Sequence, residues 1–248
     1  MALFISKFKE LMSAGRDNLS FVGVCVIVVA AILVIAILAE KLIHKGQKKD
    51  VSGARYLAVC GIMSALAAVL MLFEIPLFFA PTFYKLDFSE IPVMIGTFTL
   101  GPTAGVIIEL VKVLLKLVFK GTTTAFVGDL ANFIIGCSMV VPASVIYYVK
   151  KTKKTALVGM ITGTAVMTVF GSMFNAVYLL PKFSQLYGLP LEQIVAMGTA
   201  INSKITSVTT MALFAVAPFN IVKGVLVTVI TMLLYKHISP MLKNFGQK

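Results

Sequence analysis

Apolar residues fall along this chain in blocks of about twenty, separated by short polar or basic segments, with no sustained period-two alternation. Phe21 to Ala39 carries no charge, and further apolar blocks cover Ala54 to Phe73, Leu130 to Val149, Thr155 to Leu180 and Phe214 to Tyr235. A helix needs about 20 apolar residues to cross a hydrocarbon layer of about 30 Å, so each block predicts a membrane span. Ile91 to Phe119 is longer, but Gly101-Pro102 divides it. Proline lacks a backbone donor and clashes with the preceding turn, which predicts two shorter helices joined by a tight turn. The expected fold is an all-α integral membrane protein: a six-helix bundle plus one extra N-terminal transmembrane helix. Residues 1–50 would form the N-terminal segment, and residues 51–248 the six-helix domain.

The extra span is preceded by Asp17, Asn18 and Ser20, good N-caps for a helix beginning near Phe21. Secretory signals have apolar regions of about 7–15 residues, so a retained helix is expected, with Ala39 leaving cleavage open. HKGQKKD, at 44–50, reads as a basic linker to the remainder. The segment 181–212, with Lys182, Glu192, Asn202 and Lys204 among Ser and Thr, is expected to lie outside any span.

Composition agrees with the pattern: 59% hydrophobic residues, 13% charged and a mean hydropathy of +0.98, against about a quarter charged in soluble domains. The net charge of +12 is resolved by position. Lys41 to Arg55, Lys150 to Lys154 and Lys236 onward hold 12 of the 22 basic residues. These segments share one side, as the positive-inside rule requires, so the charge sets topology rather than binding nucleic acid. The C-terminus is then expected in the cytoplasm, the N-terminus outside if the extra helix is retained, and segments 77–90, 120–129 and 181–212 outside. Cys25, Cys60 and Cys137 lie in apolar runs and imply neither a disulfide framework nor a metal site.

Residues 83–136 depart from plain hydrocarbon by carrying Asp87, Glu90, Glu109, Lys112, Lys116 and Asp129. An intramembrane charge costs about 2.5–3.5 kcal/mol even on conservative scales, so each needs a partner or a cavity. Glu109, Lys112 and Lys116 share a helix face and are expected to form an inward ion pair. GTTTAFVGD, at 121–129, is a hydroxyl- and glycine-rich turn without the Gly-Lys-Ser/Thr ending of a phosphate loop. Asn220 and Lys223 lie one turn apart, with Ile221, Val222 and Val225 around the ammonium. An amide beside an intramembrane cation suits a flat polar heterocycle or an anion. The alternative is that Lys223 snorkels or pairs with Asp87 or Glu109. Asn175 falls at the same outer level. Gly61 with Ala65, and Ser64 with Ala68, have the four-residue spacing that lets helices approach closely, within the protein or against a partner.

Five stretches in order, KLDFSEIPVMIG (85–96), LGPTAGVIIELVKVLL (100–115), TTTAFVGDLANFIIG (122–136), NAVYLLP (175–181) and PFNIVKG (218–224), resemble the substrate-binding S component of energy-coupling factor transporters, of the riboflavin-specific type. The resemblance spans about residues 54–240. It implies a multi-pass cell-membrane subunit that captures riboflavin from outside and works with a transmembrane coupling subunit and two ATPase subunits, without enzymatic activity, cofactor or metal of its own. It implies that Asn175, Asn220 and Lys223 bond the polar groups of the flavin or ribityl chain, while Phe83, Lys85, Asp87 and Gly128 close the site. It also places Gly61, Ser64, Ala65 and Ala68 toward the coupling subunit. The extra helix and Asp129, where the family usually has glutamate, depart from the pattern. Alternatives are an S component for FMN or another vitamin, a lipid-modifying enzyme, and a structural anchor. His44 and His237 both fall in cytoplasmic segments, and no acid-base pair supports the enzyme.

Overall fold

The computed structural model describes residues 2–44 and 52–244; the expected linker at 44–50, apart from His44, and the last four residues of the basic tail lie outside them. The elements are α1 (Ala2–Asp17), α2 (Leu19–His44), α3 (Gly53–Leu72), α4 (Glu90–Leu100), α5 (Pro102–Lys120), α6 (Val127–Lys150), α7 (Lys153–Phe174), α8 (Leu180–Tyr187), α9 (Leu191–Thr199), α10 (Val208–Met211) and α11 (Ala217–Asn244). A two-residue ribbon, β1 (Ile75–Pro76) with β2 (Lys85–Leu86), is antiparallel and pairs Ile75 with Leu86. The protein is an all-α integral membrane protein in which α3 to α7 and α11 form the six-helix bundle and α2 adds a span. Among the described residues five helical segments are long and apolar enough to cross a membrane. The α4–α5 pair completes the bundle as a hairpin, its turn made by Gly101 at φ 112° with Pro102 opening α5. Glycine tolerates that φ and proline suits a first helical position.

The tightest crossing is α6 against α7. A Cβ at Gly159 or Gly163 would stand 2.5 Å from the Ala143 or Met139 carbonyl oxygen respectively, so only glycine admits this approach. Around it Met139, Val140, Ala143, Met160 and Val227 are fully buried.

The helix α7 does not stop at Pro181, as the sequence suggested. It passes through one π turn, Asn175–Leu179, into α8, and α10 likewise passes through Ala212–Val216 into α11. The cause is the same twice. Pro181 and Pro218 offer no N–H to the carbonyls four residues back, and the chain widens so that Leu180 N–H bonds Asn175 O and Ala217 N–H bonds Ala212 O. The expected non-span 181–212 is therefore largely helical: α8 extends the span, and Ser207 and Thr210 cap α10 reciprocally.

Two ends of the bundle differ in chemistry. At one, Tyr147 and Tyr235 hydroxyls lie 3.4 Å apart, Tyr148 donates to Phe98 O at 3.4 Å and the Lys151 ammonium sits over the Tyr148 ring. Here α2 is fastened. Ala36 is fully buried, and the Glu40 carboxylate accepts from Thr103 N–H at 3.1 Å beside Gly101, stabilising the N-terminus of α5 as an anion does. The opposite end carries a cavity.

Candidate ligand-binding site

The cavity, of about 350 Å³, is enclosed by the loop between α3 and α4, the turn between α5 and α6, the ends of α7 and α8, and the start of α11. Its size is at the lower end of ordinary small-molecule pockets. All seven sequence-derived ligand candidates line it: Phe83, Lys85, Asp87, Gly128, Asn175, Asn220 and Lys223.

The loop side is built on Asp87. Its Oδ1 accepts from Ser89 N–H at 2.9 Å and from the Ser89 hydroxyl, fixing the chain just before α4. Its Oδ2 lies 3.2 Å from Lys223 Nζ, across 136 residues of sequence. Lys223 also lies 3.4 Å from Glu90 Oε1. The expected apolar setting of this ammonium is thus corrected: carboxylates from the loop and α4 converge on it, because helix packing brings the ends of α4 and α11 together. Asp87 is one partner named by the sequence; the other is Glu90 rather than Glu109. Glu109 instead pairs with Lys112 at 2.6 Å, and Lys112 with Glu90 at 3.1 Å. Lys116 leaves this set and pairs with Asp129 at 2.5 Å.

The turn side is held by hydroxyls. Thr122 donates to Asp129 Oδ2 at 2.7 Å and accepts from Phe126 N–H at 2.9 Å, while Thr124 accepts from Gly128 N–H at 2.9 Å. These bonds hold Ala125 and Phe126 at positive φ, a conformation that non-glycine residues occupy only when their surroundings enforce it. Gly128 is needed because a Cβ there would stand 2.9 Å from the Thr124 hydroxyl.

Helices α7 and α11 supply the amides. Asn175, at the start of the π turn, accepts from the Tyr84 hydroxyl at 2.9 Å and donates to Gly171 O at 2.8 Å. Burial pushes the Tyr84 phenol up, keeping it a donor. Asn220 is buried and its Nδ2 has no hydrogen-bond partner among the described residues. Tyr84, Asn132, Phe183 and Phe219 also line the cavity and were not singled out as ligand contacts from the sequence. Tyr84 and Phe219 rings lie 5.8 Å apart. Only the aromatic density of the loop at 78–84 hinted at this wall.

At the mouth, Glu74 joins Lys85 at 2.9 Å and Lys120 at 2.6 Å, tying the loop to the end of α5. Partial burial works against its charge, but the Lys120 and Lys85 ammoniums prevail and hold the carboxyl below its ordinary value. A depressed carboxyl stabilises the folded state above its unfolded pKa of about 4.3, and that contribution is lost as pH falls through the folded value. Acidification below about pH 4 is therefore expected to lower the protection of the Lys85 and Leu86 amides relative to their intrinsic exchange rates at each pH, and Glu74→Gln to remove that dependence.

The four small residues of α3 separate. Gly61 and Ala65 lie on the open face, whereas Ser64 and Ala68 are buried in the bundle, with Ser64 donating to Cys60 O at 2.7 Å. Ser64 and Ala68 are thereby withdrawn from any partner surface; residues three apart diverge by about 60° around a helix. Among the described residues no cluster of ligating side chains suits a metal ion.

The family described as "ECF transporter, substrate-specific component" matches residues 55–235. The "Riboflavin transporter RibU" of Staphylococcus aureus (strain TCH60) is 34% identical over 198 residues, 80% of this chain and 97% of the relative. The "Riboflavin transporter FmnP" of Bacillus subtilis (strain 168) is 30% identical over 189 residues, 76% of this chain and 94% of the relative. A solved structure, "Structure and mechanism of the S component of a bacterial ECF transporter", is 34% identical with a TM-score of 0.61, over 77% of this chain and 99% of the other.

Proposed function

Because the chain belongs to the family of ECF transporter substrate-specific components, we propose that it captures riboflavin from outside the cell and passes it to an ATP-driven coupling module. The observation that carries this reading is the cavity in which Asn175, Asn220 and Lys223 meet, walled by Tyr84 and Phe219. An isoalloxazine ring needs a slot with apolar faces and donors at its polar edge, and the ribityl hydroxyls need amide and charged partners. Residues 51–248 carry this binding domain. The ammonium of Lys223 has three donors; two contacts go to Asp87 and Glu90, and a third is left for ligand. Asn220 Nδ2 is a second donor awaiting an acceptor.

The basic end of the bundle faces the cytoplasm by the positive-inside rule, which puts the cavity outside, the C-terminus inside and the start of α2 outside. Transport needs partners: a transmembrane coupling subunit, engaged through the open face of α3 at Gly61 and Ala65, and two ATPase subunits that consume ATP. The chain itself is a transport subunit rather than an enzyme.

Titrating the purified chain with riboflavin is expected to quench flavin fluorescence saturably at micromolar ligand, with thiamine and biotin giving no competition. No quenching at that concentration, from a folded sample, overturns the reading.

A further inference from the structure

Beneath the cavity five charged groups form one buried chain. Asp87 contacts Lys223, Lys223 contacts Glu90, Glu90 contacts Lys112, and Lys112 contacts Glu109. Three carboxyls therefore face two ammoniums, in a region where Glu109 is completely buried and Glu90 nearly so. Among the described residues the other titratable group facing Glu109 is the Cys137 thiol of α6, which brings no positive charge. Lys116 is engaged with Asp129 and balances that residue.

The carboxyls of Glu90 and Glu109 close on the same Lys112 ammonium, Glu90 Oε1 at 3.1 Å and Glu109 Oε2 at 2.6 Å. As carboxylates, neither has a hydrogen to give the other. Counted as carboxylates, they leave Glu90 Oε2 and Glu109 Oε1 without a donor, the Lys112 ammonium standing 2.6 Å from Glu109 Oε2. A buried oxygen so placed is costly, and an excess negative charge in hydrocarbon more so. One hydrogen cures both defects.

We propose that the Glu90–Glu109 pair is a proton-binding site, holding one proton that makes the buried chain electrically neutral and locks α4 to α5 beneath the cavity. The proton sits on one carboxyl and is donated to the other. The O–H then supplies the missing donor, and the remaining two carboxylates match the two ammoniums. The pair is linked to the cavity through Lys223, which shares Glu90 with Lys112. This assignment is independent of which ligand the cavity takes.

Infrared spectroscopy of the full-length protein in detergent, without ligand, tests it. The wild type is expected to show the carbonyl stretch of a protonated carboxyl at neutral pH, and Glu109→Gln to lose it, since two carboxylates then face two ammoniums. Glutamine is near-isosteric and can still donate to Glu90, so its thermal unfolding is expected within a few degrees of wild type. Absence of the band in the wild type, or its persistence in Glu109→Gln, overturns the proposal. So does a large loss of thermal stability in that variant, which would show that an ionised Glu109 is what the fold requires.

Discussion

Lys223→Met is expected to weaken riboflavin binding by between about thirtyfold and a few thousandfold, with the protein still folded. Truncating one member of a buried hydrogen-bonded charge pair costs about 2–5 kcal/mol in binding, and each 1.4 kcal/mol is about tenfold. The lost group is the ammonium that bridges Asp87 and Glu90 at 3.2 and 3.4 Å while lining the cavity. The fold persists at lower stability: Asp87 retains the Ser89 amide and hydroxyl and Glu90 retains Lys112, while the lost buried cation costs stability. Fluorescence quenching measures the affinity, and thermal unfolding with and without riboflavin separates the two effects. A ligand that binds only the folded state raises its stability by mass action, so wild type is expected to show a ligand-dependent shift that Lys223→Met lacks. Unchanged affinity in that variant would remove Lys223 from the site.

Gly163→Leu is expected to lower thermal stability severely and to abolish binding, although residue 163 does not line the cavity. Its Cβ would lie 2.5 Å from the Met139 carbonyl oxygen and 3.1 Å from Ala143 Cβ. The first of these is backbone in the middle of α6 and cannot swing aside, so α6 and α7 must separate. Overpacking typically costs about 1–3 kcal/mol, and here four carbons are added at the closest crossing. The same displacement reaches the cavity because α7 carries Gly171, where a Cβ would stand 2.9 Å from Asn220 Nδ2, and then Asn175. Gly23→Leu is the control: nothing lies within 4 Å of a Cβ there, on the exposed face of α2. Equal unfolding temperatures for wild type and Gly163→Leu would refute the assigned crossing.

The spans were legible in the chain because apolar length is a local property that each segment carries alone. Predicted boundaries such as Ala54 to Phe73 and the break at Gly101-Pro102 agree with α3 and the α4–α5 turn to within a few residues. The chemistry of the site was also partly legible, since an ion in hydrocarbon demands an explanation wherever it falls. Asp87, Asn175, Asn220 and Lys223 do converge on one cavity. The wall made by Tyr84, Phe183 and Phe219 was not, because an aromatic residue in an apolar run looks the same whether it faces lipid, core or cavity.

What the sequence determined by itself, then, was which apolar segments cross the membrane, the end at which basic residues gather and which residue types required partners. The tertiary structure alone decided the pairings: Lys223 with Asp87 and Glu90, Lys116 with Asp129 rather than Glu109, and Glu40 on the N-terminus of α5. It also decided which small residues meet another helix, burying Ser64 and Ala68 while leaving Gly61 and Ala65 open, and choosing Gly159 and Gly163 for the closest crossing. The physical reason is that lipid tails are as apolar as a protein interior. Hydropathy therefore places a helix in the membrane without setting its rotation, and rotation is fixed only by the shapes and charges of the helices it packs against.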